Sequence, residues 1–442
     1  MPEYLLDPFD LLFFRDARPM AAGQGAGHGC RLPLPNTLHE ALRAALLDRS
    51  DHQPAGQAHS RNHFTKRAAS TPVPVASSAF QSLQTRGPFL YGCRERRPDD
   101  DEWSKVPERH KQPALRLPLP LDVVMADAQR LVTLRLETDP NAAPLSLLPV
   151  SPAAPTKNTP SGFWTPEQFT AYLRGDEKGE FRPLAARFLF EPEQRVGVEI
   201  DNHTFAAREG QLYAATYLRP ARSTRFWCSA VIADQRRTEE IELLDSLDLL
   251  PFGGERRLAR LESNETVPRL DPAALPAPDF AAMHCQRVKW TLLTPAIFAG
   301  GWRPGWIDAD TFEVQLRRIE RKERAARRKA RREGRKFDPT TDNAAAIPAR
   351  LVSVCLGRAQ PVTGWDLVHH SAKPTQLAVP AGSVFYFECP TPGDAAALAE
   401  ALHLRPRSDA LGEKSYGLGV CGTWKLFEPP ADDDSPPDPT QV

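Results

Sequence analysis

Two histidines near the start of the chain, His28 in a glycine-rich loop and His39 in the first helical stretch, are placed to do acid–base chemistry. A metal-independent ribonuclease could use such groups as general acid and general base. His369-His370 forms a second candidate pair. Histidines in loops are more often plain surface residues, and no paired carboxylates or nucleophile elbow stands beside these. The segment Gly23–Cys30 holds one His and one Cys, but partner ligands at zinc spacing are missing, so no metal is expected. The seven cysteines are scattered without a Cys-x-x-Cys pair, as free thiols in a reducing cytosol would be.

Binding chemistry has stronger candidates. Arg317–Lys336 carries twelve basic residues against three acidic ones, too evenly spread to leave an apolar stripe on a helix. It reads either as a solvated helix extension or as an arm that tracks phosphates or docks a partner. Tyr416-Gly417-Leu418-Gly419-Val420-Cys421-Gly422 would let a backbone approach a ligand closely, though a tight turn explains it equally well. It lacks the helix and downstream acid of a dinucleotide site, and no P-loop is present. Lys+Arg and Asp+Glu balance at 56 each, so whole-chain charge gives no argument for nucleic acid and a local patch must carry one. No cofactor is implied. On the residues alone, an RNA-binding or assembly module is favoured over an enzyme.

The elements that must position these groups read as two similar series. With 442 residues, two or three domains are expected, and 44 prolines mark many turns and irregular insertions. A strand at 4–14 precedes a helix with Asn36 as N-cap and an apolar stripe of Leu38, Ala41, Leu42, Ala45 and Leu46. Residues 51–183 read as a large insertion with a short helix through Gln168–Leu173. Strands follow at 187–189, 195–200, 212–218 and 226–232, then a helix near Thr238 and a strand at 257–261. Past a Pro-rich linker, Leu292-Leu293-Thr294-Pro295 echoes Leu5-Leu6-Asp7-Pro8 and suggests a second copy of one unit. It comprises a strand at 288–293, a helix opened by Asp310 and Glu313, strands at 351–356 and 384–387, a helix at 395–402 and a strand at 423–427. Two βαββαβ series predict an α+β fold of two ferredoxin-like, RRM-like domains, 1–282 and 283–428, the first holding the insertion. The acidic, Pro-rich 429–442 should be a disordered tail. No apolar run approaches a membrane span, and the start is no signal peptide, so a cytoplasmic protein is expected.

Phe13-Phe14-Arg15-Asp16-Ala17-Arg18-Pro19 followed by Leu34-Pro35-Asn36-Thr37-Leu38-His39-Glu40-Ala41-Leu42-Arg43 resembles the opening of RAMP-superfamily CRISPR proteins. His39-Glu40 stands where that superfamily often has Ala-Gly. Arg86-Gly87-Pro88-Phe89, Gly253-Gly254-Glu255-Arg256, Gly300-Gly301-Trp302, Gly364-Trp365-Asp366, Lys373-Pro374-Thr375 and Tyr416–Trp424 narrow the resemblance. In order and spacing they are similar to the third Cmr subunit family of type III-B CRISPR effector complexes, across nearly all of residues 4–428.

The resemblance implies a non-catalytic assembly role in antiviral defence. The family's subunit has two ferredoxin-like domains, grips the 5′ handle of the CRISPR RNA, and docks the large polymerase-like subunit and the first backbone subunit. Target RNA would be met only indirectly, and no membrane is involved. A single-stranded RNA end is held by Arg and Lys on phosphates, by glycine-loop NH groups and by aromatic stacking. The expected RNA-binding residues are Arg15, Arg18, Arg43, Arg256, Trp302, Arg303, Lys373, Lys414 and Tyr416, with Gly417, Gly419 and Gly422 as the glycine loop. The competing reading is a RAMP endoribonuclease that matures precursor CRISPR RNA with His28 or His39.

Overall fold

A computed structural model describes residues 1–15, 25–27, 32–50, 79–96, 100, 103–126, 130–139, 144–154, 156–176, 181–201, 203–317, 346–366 and 371–428. Arg18, His28, His369-His370, the basic run beyond Arg317 and the 429–442 tail lie outside these residues.

Strand β1 (Glu3–Pro8) runs through the middle of the first sheet and is buried on both faces, Tyr4 and Leu6 on one and Leu5 on the other. Helix α1 (Pro35–Arg49) lays Leu38, Ala41, Leu42, Ala45 and Leu46 on the Tyr4 face, as the 3.6-residue stripe requires. Its N-cap is Leu34 rather than Asn36, because Pro35 has the fixed φ that suits the first helical position. The chain continues through β2 (Leu83–Gly92), β3 (Ala114–Pro118), β4 (Phe163–Trp164) and α2 (Pro166–Leu173). Thr165 and Gln168 start α2 with a reciprocal capping box. A hairpin of β5 (Phe190–Ile200) and β6 (Ala207–Pro220) follows, then β7 (Arg225–Ile232), α3 (Thr238–Asp245), β8 (Leu249–Pro251) and β9 (Leu258–Glu262). The sheet order is β8-β9-β1-β7-β2-β3-β4, with antiparallel pairing throughout.

The second sheet is built from β10 (Arg287–Leu292), β11 (Arg350–Cys355), β12 (Val384–Glu388), α4 (Pro392–Leu402), β13 (Arg405–Pro406) and β14 (Leu418–Gly422). Its antiparallel order is β11-β12-β10-β14-β13. The central order therefore repeats: β9-β1-β7-β2 in one sheet corresponds to β14-β10-β12-β11 in the other.

Residues 187–189 are not a strand, since Ala186–Phe188 form a single 3-10 turn, and four further expectations need correction. β2 lies inside the stretch read as an irregular insertion, yet it is a core strand of the first sheet. Gly87-Pro88 interrupts its pattern, and the partner strand answers with a register shift between Trp227 and Ser229. The strands at 195–200 and 212–218 instead form the β5–β6 hairpin of a separate three-stranded sheet, because alternation identifies a strand but not its neighbours. No helix opens at Asp310: the side chain of Asp308 accepts from the backbone NH groups of Asp310 and Thr311, and Ile307 bridges to Val314 across the turn. The last strand is the glycine-rich segment itself, not 423–427.

The two sheets turn their helix-free faces towards a shared core. Leu5, Phe89 and Trp227 come from the first sheet, Leu418 and Val420 from the second, and Phe169, Tyr172 and Leu173 of α2 fill the space between. The NH of Thr423 donates to the carbonyl of Leu173 at 2.8 Å, and a Cβ on Gly422 would stand 2.8 Å from the Leu173 Cα. One buried ion pair sits here: Lys289 Nζ lies 3.6 Å from Asp122 Oδ2, with side chains 2% and 0% exposed. Tyr172 OH donates to Asp122 Oδ1 at 2.7 Å and Tyr386 OH to Oδ2 at 3.0 Å, while the ammonium rests 3.3 Å from the centroid of the Tyr172 ring. Burial pulls the Lys289 ammonium down to about 8, with Asp122 opposing that fall.

Candidate nucleic-acid interface

Arg15 and Arg256 are brought onto adjoining segments. The turn Gly253-Gly254-Glu255-Arg256 folds against the end of the first-strand segment, with the NH of Gly254 donating to the carbonyl of Phe13 at 2.7 Å. Gly253 is required there: its φ is +99°, and a Cβ would lie 2.8 Å from the Phe13 carbonyl oxygen. Glu255 and Arg256 also take positive φ, which turns the chain sharply outward. Both arginines are exposed. Among the described residues neither is in an ion pair.

Lys373, Lys414 and Tyr416 gather instead around the head of α1. Lys414 Nζ donates to Glu40 Oε1 at 2.5 Å. Burial pushes the Glu40 carboxyl up, but the charge and hydrogen bond of Lys414 and the charge of Lys373 overcome it and hold the group below the usual range. The Glu40 side chain remains 41% exposed, so solvent screening limits what this pair adds to stability. Tyr416 OH donates to Asn36 Oδ1 at 2.7 Å, and Asn36 Nδ2 donates to the Thr363 carbonyl at 3.3 Å. Tyr416 is wholly buried, so its ring offers no face to a base. In this structure it ties α1 to the second half.

The glycine loop is likewise closed by the protein's own atoms. Gly417 has φ +74° and a Cβ there would stand 2.3 Å from the Ser408 nitrogen. At Gly419 it would stand 2.3 Å from Trp290 Nε1, and at Gly422 it would meet α2. These glycines allow close packing of backbone on side chain, where a ligand-binding loop would leave open space.

Trp302 stacks on Phe312, ring centroids 6.5 Å apart at 17°, and is only partly exposed. The Arg303 guanidinium donates to the carbonyl of Ile307, which stiffens the glycine–tryptophan turn. Arg43 donates from Nη2 to the Ala79 carbonyl at 3.4 Å and is half-buried. These three are spent, at least partly, on the protein's own structure. His39 is 5% exposed and its Nδ1 lies 3.2 Å from Thr85 Oγ1. Burial pushes its pKa down to about 3, with Lys414 adding to the fall. A neutral core imidazole without solvent access is poorly placed to catalyse cleavage of an RNA strand.

One cavity was not legible in the sequence. It has a volume of about 200 Å³ and opens between the halves, lined among others by Pro35, Phe89, Phe163, Thr294 and Arg116. Arg116 is 1% exposed and donates from Nε to the Gly92 carbonyl at 2.9 Å and from Nη2 to the carbonyls of Arg109 and Gln112. The residue sits in a stretch whose pattern suggested no strand. Among the described residues no cluster of side chains fit to hold a metal occurs, and no helix is long and apolar enough to cross a membrane.

No curated protein sequence matches the chain. A solved chain from "Cryo-EM structure of the Type III-B Cmr-beta bound to cognate target RNA and AMPPnP, state 1" is similar at 14% identity and TM-score 0.41, covering 87% of this chain and 86% of that one. A chain of the same assembly bound to cognate target RNA gives 15% and 0.41 over the same shares. One from the Csm3-Csm4 subcomplex of a type III-A CRISPR-Cas interference complex gives 11% and 0.33, covering 88% and 93%. The model of a CRISPR-associated protein family, Cas_Cmr3, matches residues 4–424, and the chain belongs to that family.

Proposed function

We propose that the chain is a non-catalytic subunit of a type III-B CRISPR effector complex. It binds the 5′ handle of the CRISPR RNA and docks the large polymerase-like subunit and the first backbone subunit, in the cytoplasm, for antiviral defence. In this reading both sheets are ferredoxin-like domains, 1–282 and 283–428, sharing one core through α2. Family membership supports the assembly, and the repeated strand order supports the paired domains. The observation that carries RNA binding is the exposed Arg15–Arg256 patch, whose charges have no carboxylate partner among the described residues. Lys373 adds a half-exposed cation elsewhere on the surface, at the head of α1.

The test is the salt dependence of handle-RNA binding. Each phosphate contact on a single strand contributes about 0.7 to the slope of log K against log salt. Arg15→Ala with Arg256→Ala should flatten that slope by roughly 1.4 and weaken binding at low salt. An unchanged slope would mean that this patch touches no phosphate. Repeat RNA incubated in EDTA should be bound without being cut, and specific cleavage would favour the endoribonuclease reading.

A further inference from the structure

The cavity between the halves holds a charge that the protein leaves unanswered. Arg116, on β3, forms part of its wall and is 1% exposed. Its Nε and Nη2 donate to three backbone carbonyls. Nη1 makes no hydrogen bond, and no carboxylate pairs with the guanidinium among the described residues. Burial pulls its pKa down to about 10, which leaves it charged at neutrality. The surroundings add positive charge: burial, then the charges of Arg116 and Arg109, push the neighbouring His110 down to about 4. A buried cation without a counter-ion is costly, and carbonyl dipoles replace only part of what water supplied.

The rest of the cavity is largely apolar. Pro35, Phe89 and Phe163 come from the first half, Leu293 and Pro295 from the second. Its volume of about 200 Å³ takes one ring with a short substituent, since an apolar cavity of about 150 Å³ already holds benzene. A nucleobase is neutral and would leave the cation unpaired. A phosphodiester keeps its charge in a hydrated, sugar-flanked group, which proline and phenylalanine walls would desolvate without replacement. A carboxylate on an apolar body answers both features, with one charge for the guanidinium and one ring for the walls.

We propose that this cavity is a binding site for a small monocarboxylate with an apolar, ring-sized body, which bridges the two halves and sets its acid group against Arg116. The site goes beyond the RNA and docking roles and does not rest on them.

Fluorine NMR on the full chain, with 4-fluorophenylacetate as the probe, reads binding directly. The acid should bind with a Kd of about 1 mM or tighter, and the neutral 4-fluorophenylacetamide at least roughly tenfold more weakly. Arg116→Gln should bring the acid down to the affinity of the amide. That variant also frees three backbone carbonyls and so endangers the fold. Ala381→Leu fills the cavity from the second half instead, and should abolish acid binding while the urea midpoint stays close to that of wild type. No binding of the acid at about 10 mM, equal binding of acid and amide, or binding that survives Ala381→Leu would overturn the site. Displacement of the probe by handle RNA or by inorganic phosphate would overturn it too, because the cavity would then serve phosphates.

Discussion

Replacing Asp122 by asparagine would strip the buried Lys289 ammonium of its counter-charge without changing the shape of the site. At 3.6 Å the attraction is about 5 kcal/mol for an effective dielectric constant of about 20. Desolvating both ions offsets much of that, so the intact pair adds little net stability, but an orphaned partner is costly. The two tyrosine hydroxyls can still donate to the amide oxygen, yet each loses a charge-assisted bond. Asp122→Asn should therefore lower unfolding free energy by about 3–5 kcal/mol. Lys289→Met in the same chain should restore most of it, since a well-packed apolar side chain replaces the stranded charge. Equilibrium urea unfolding of wild type, both single variants and the double variant gives the coupling directly, and it should exceed roughly 2 kcal/mol. A single variant within about 1 kcal/mol of wild type, or strictly additive effects, would refute the reasoning. Because Asp122 and Tyr172 precede the hairpin while Lys289 and Tyr386 belong to the second sheet, hydrogen exchange in β10 and α2 should rise together in Asp122→Asn.

Two further outcomes test the interior. His39 has its folded pKa depressed to about 3 from 6.5, so the unfolded chain binds a proton first as pH falls. Its contribution is complete above pH 6.5 and is lost progressively towards pH 3. Denaturant unfolding should show about 2 kcal/mol less stability at pH 5 than at neutrality from this group, and His39→Gln should remove that part of the slope. Tyr416→Phe should cost about 1 kcal/mol through the lost bond to Asn36 yet leave handle-RNA affinity unchanged; a fall in affinity at constant stability would return Tyr416 to the RNA surface.

Local signals were readable wherever one element answers to its own residues. The stripe from Leu38 to Leu46, the Thr165–Gln168 start of α2 and the Val288–Leu292 alternation all describe a helix or strand that the structure contains. What sequence reading missed depends on partners far along the chain. Nothing within Leu83–Gly92 says that it pairs with β7, more than 130 residues later. Nothing within Leu418–Gly422 says that its glycines face Trp290 and Leu173 instead of a ligand. The interface candidates divide the same way: Arg15 and Arg256 are exposed, while Tyr416 and the glycines are claimed by the fold. A residue type that suits RNA also suits packing, and only long-range neighbours decide between them.

The short helix α2 has a consequence for how this molecule can be divided. Its aromatic side chains are the filling between two layers that would otherwise present wet, apolar surfaces to each other. A gene split between the two sheet-forming halves would leave the second fragment with a greasy underside and no plug. Either half transplanted alone would thus need the 114–173 stretch with it to cover that surface.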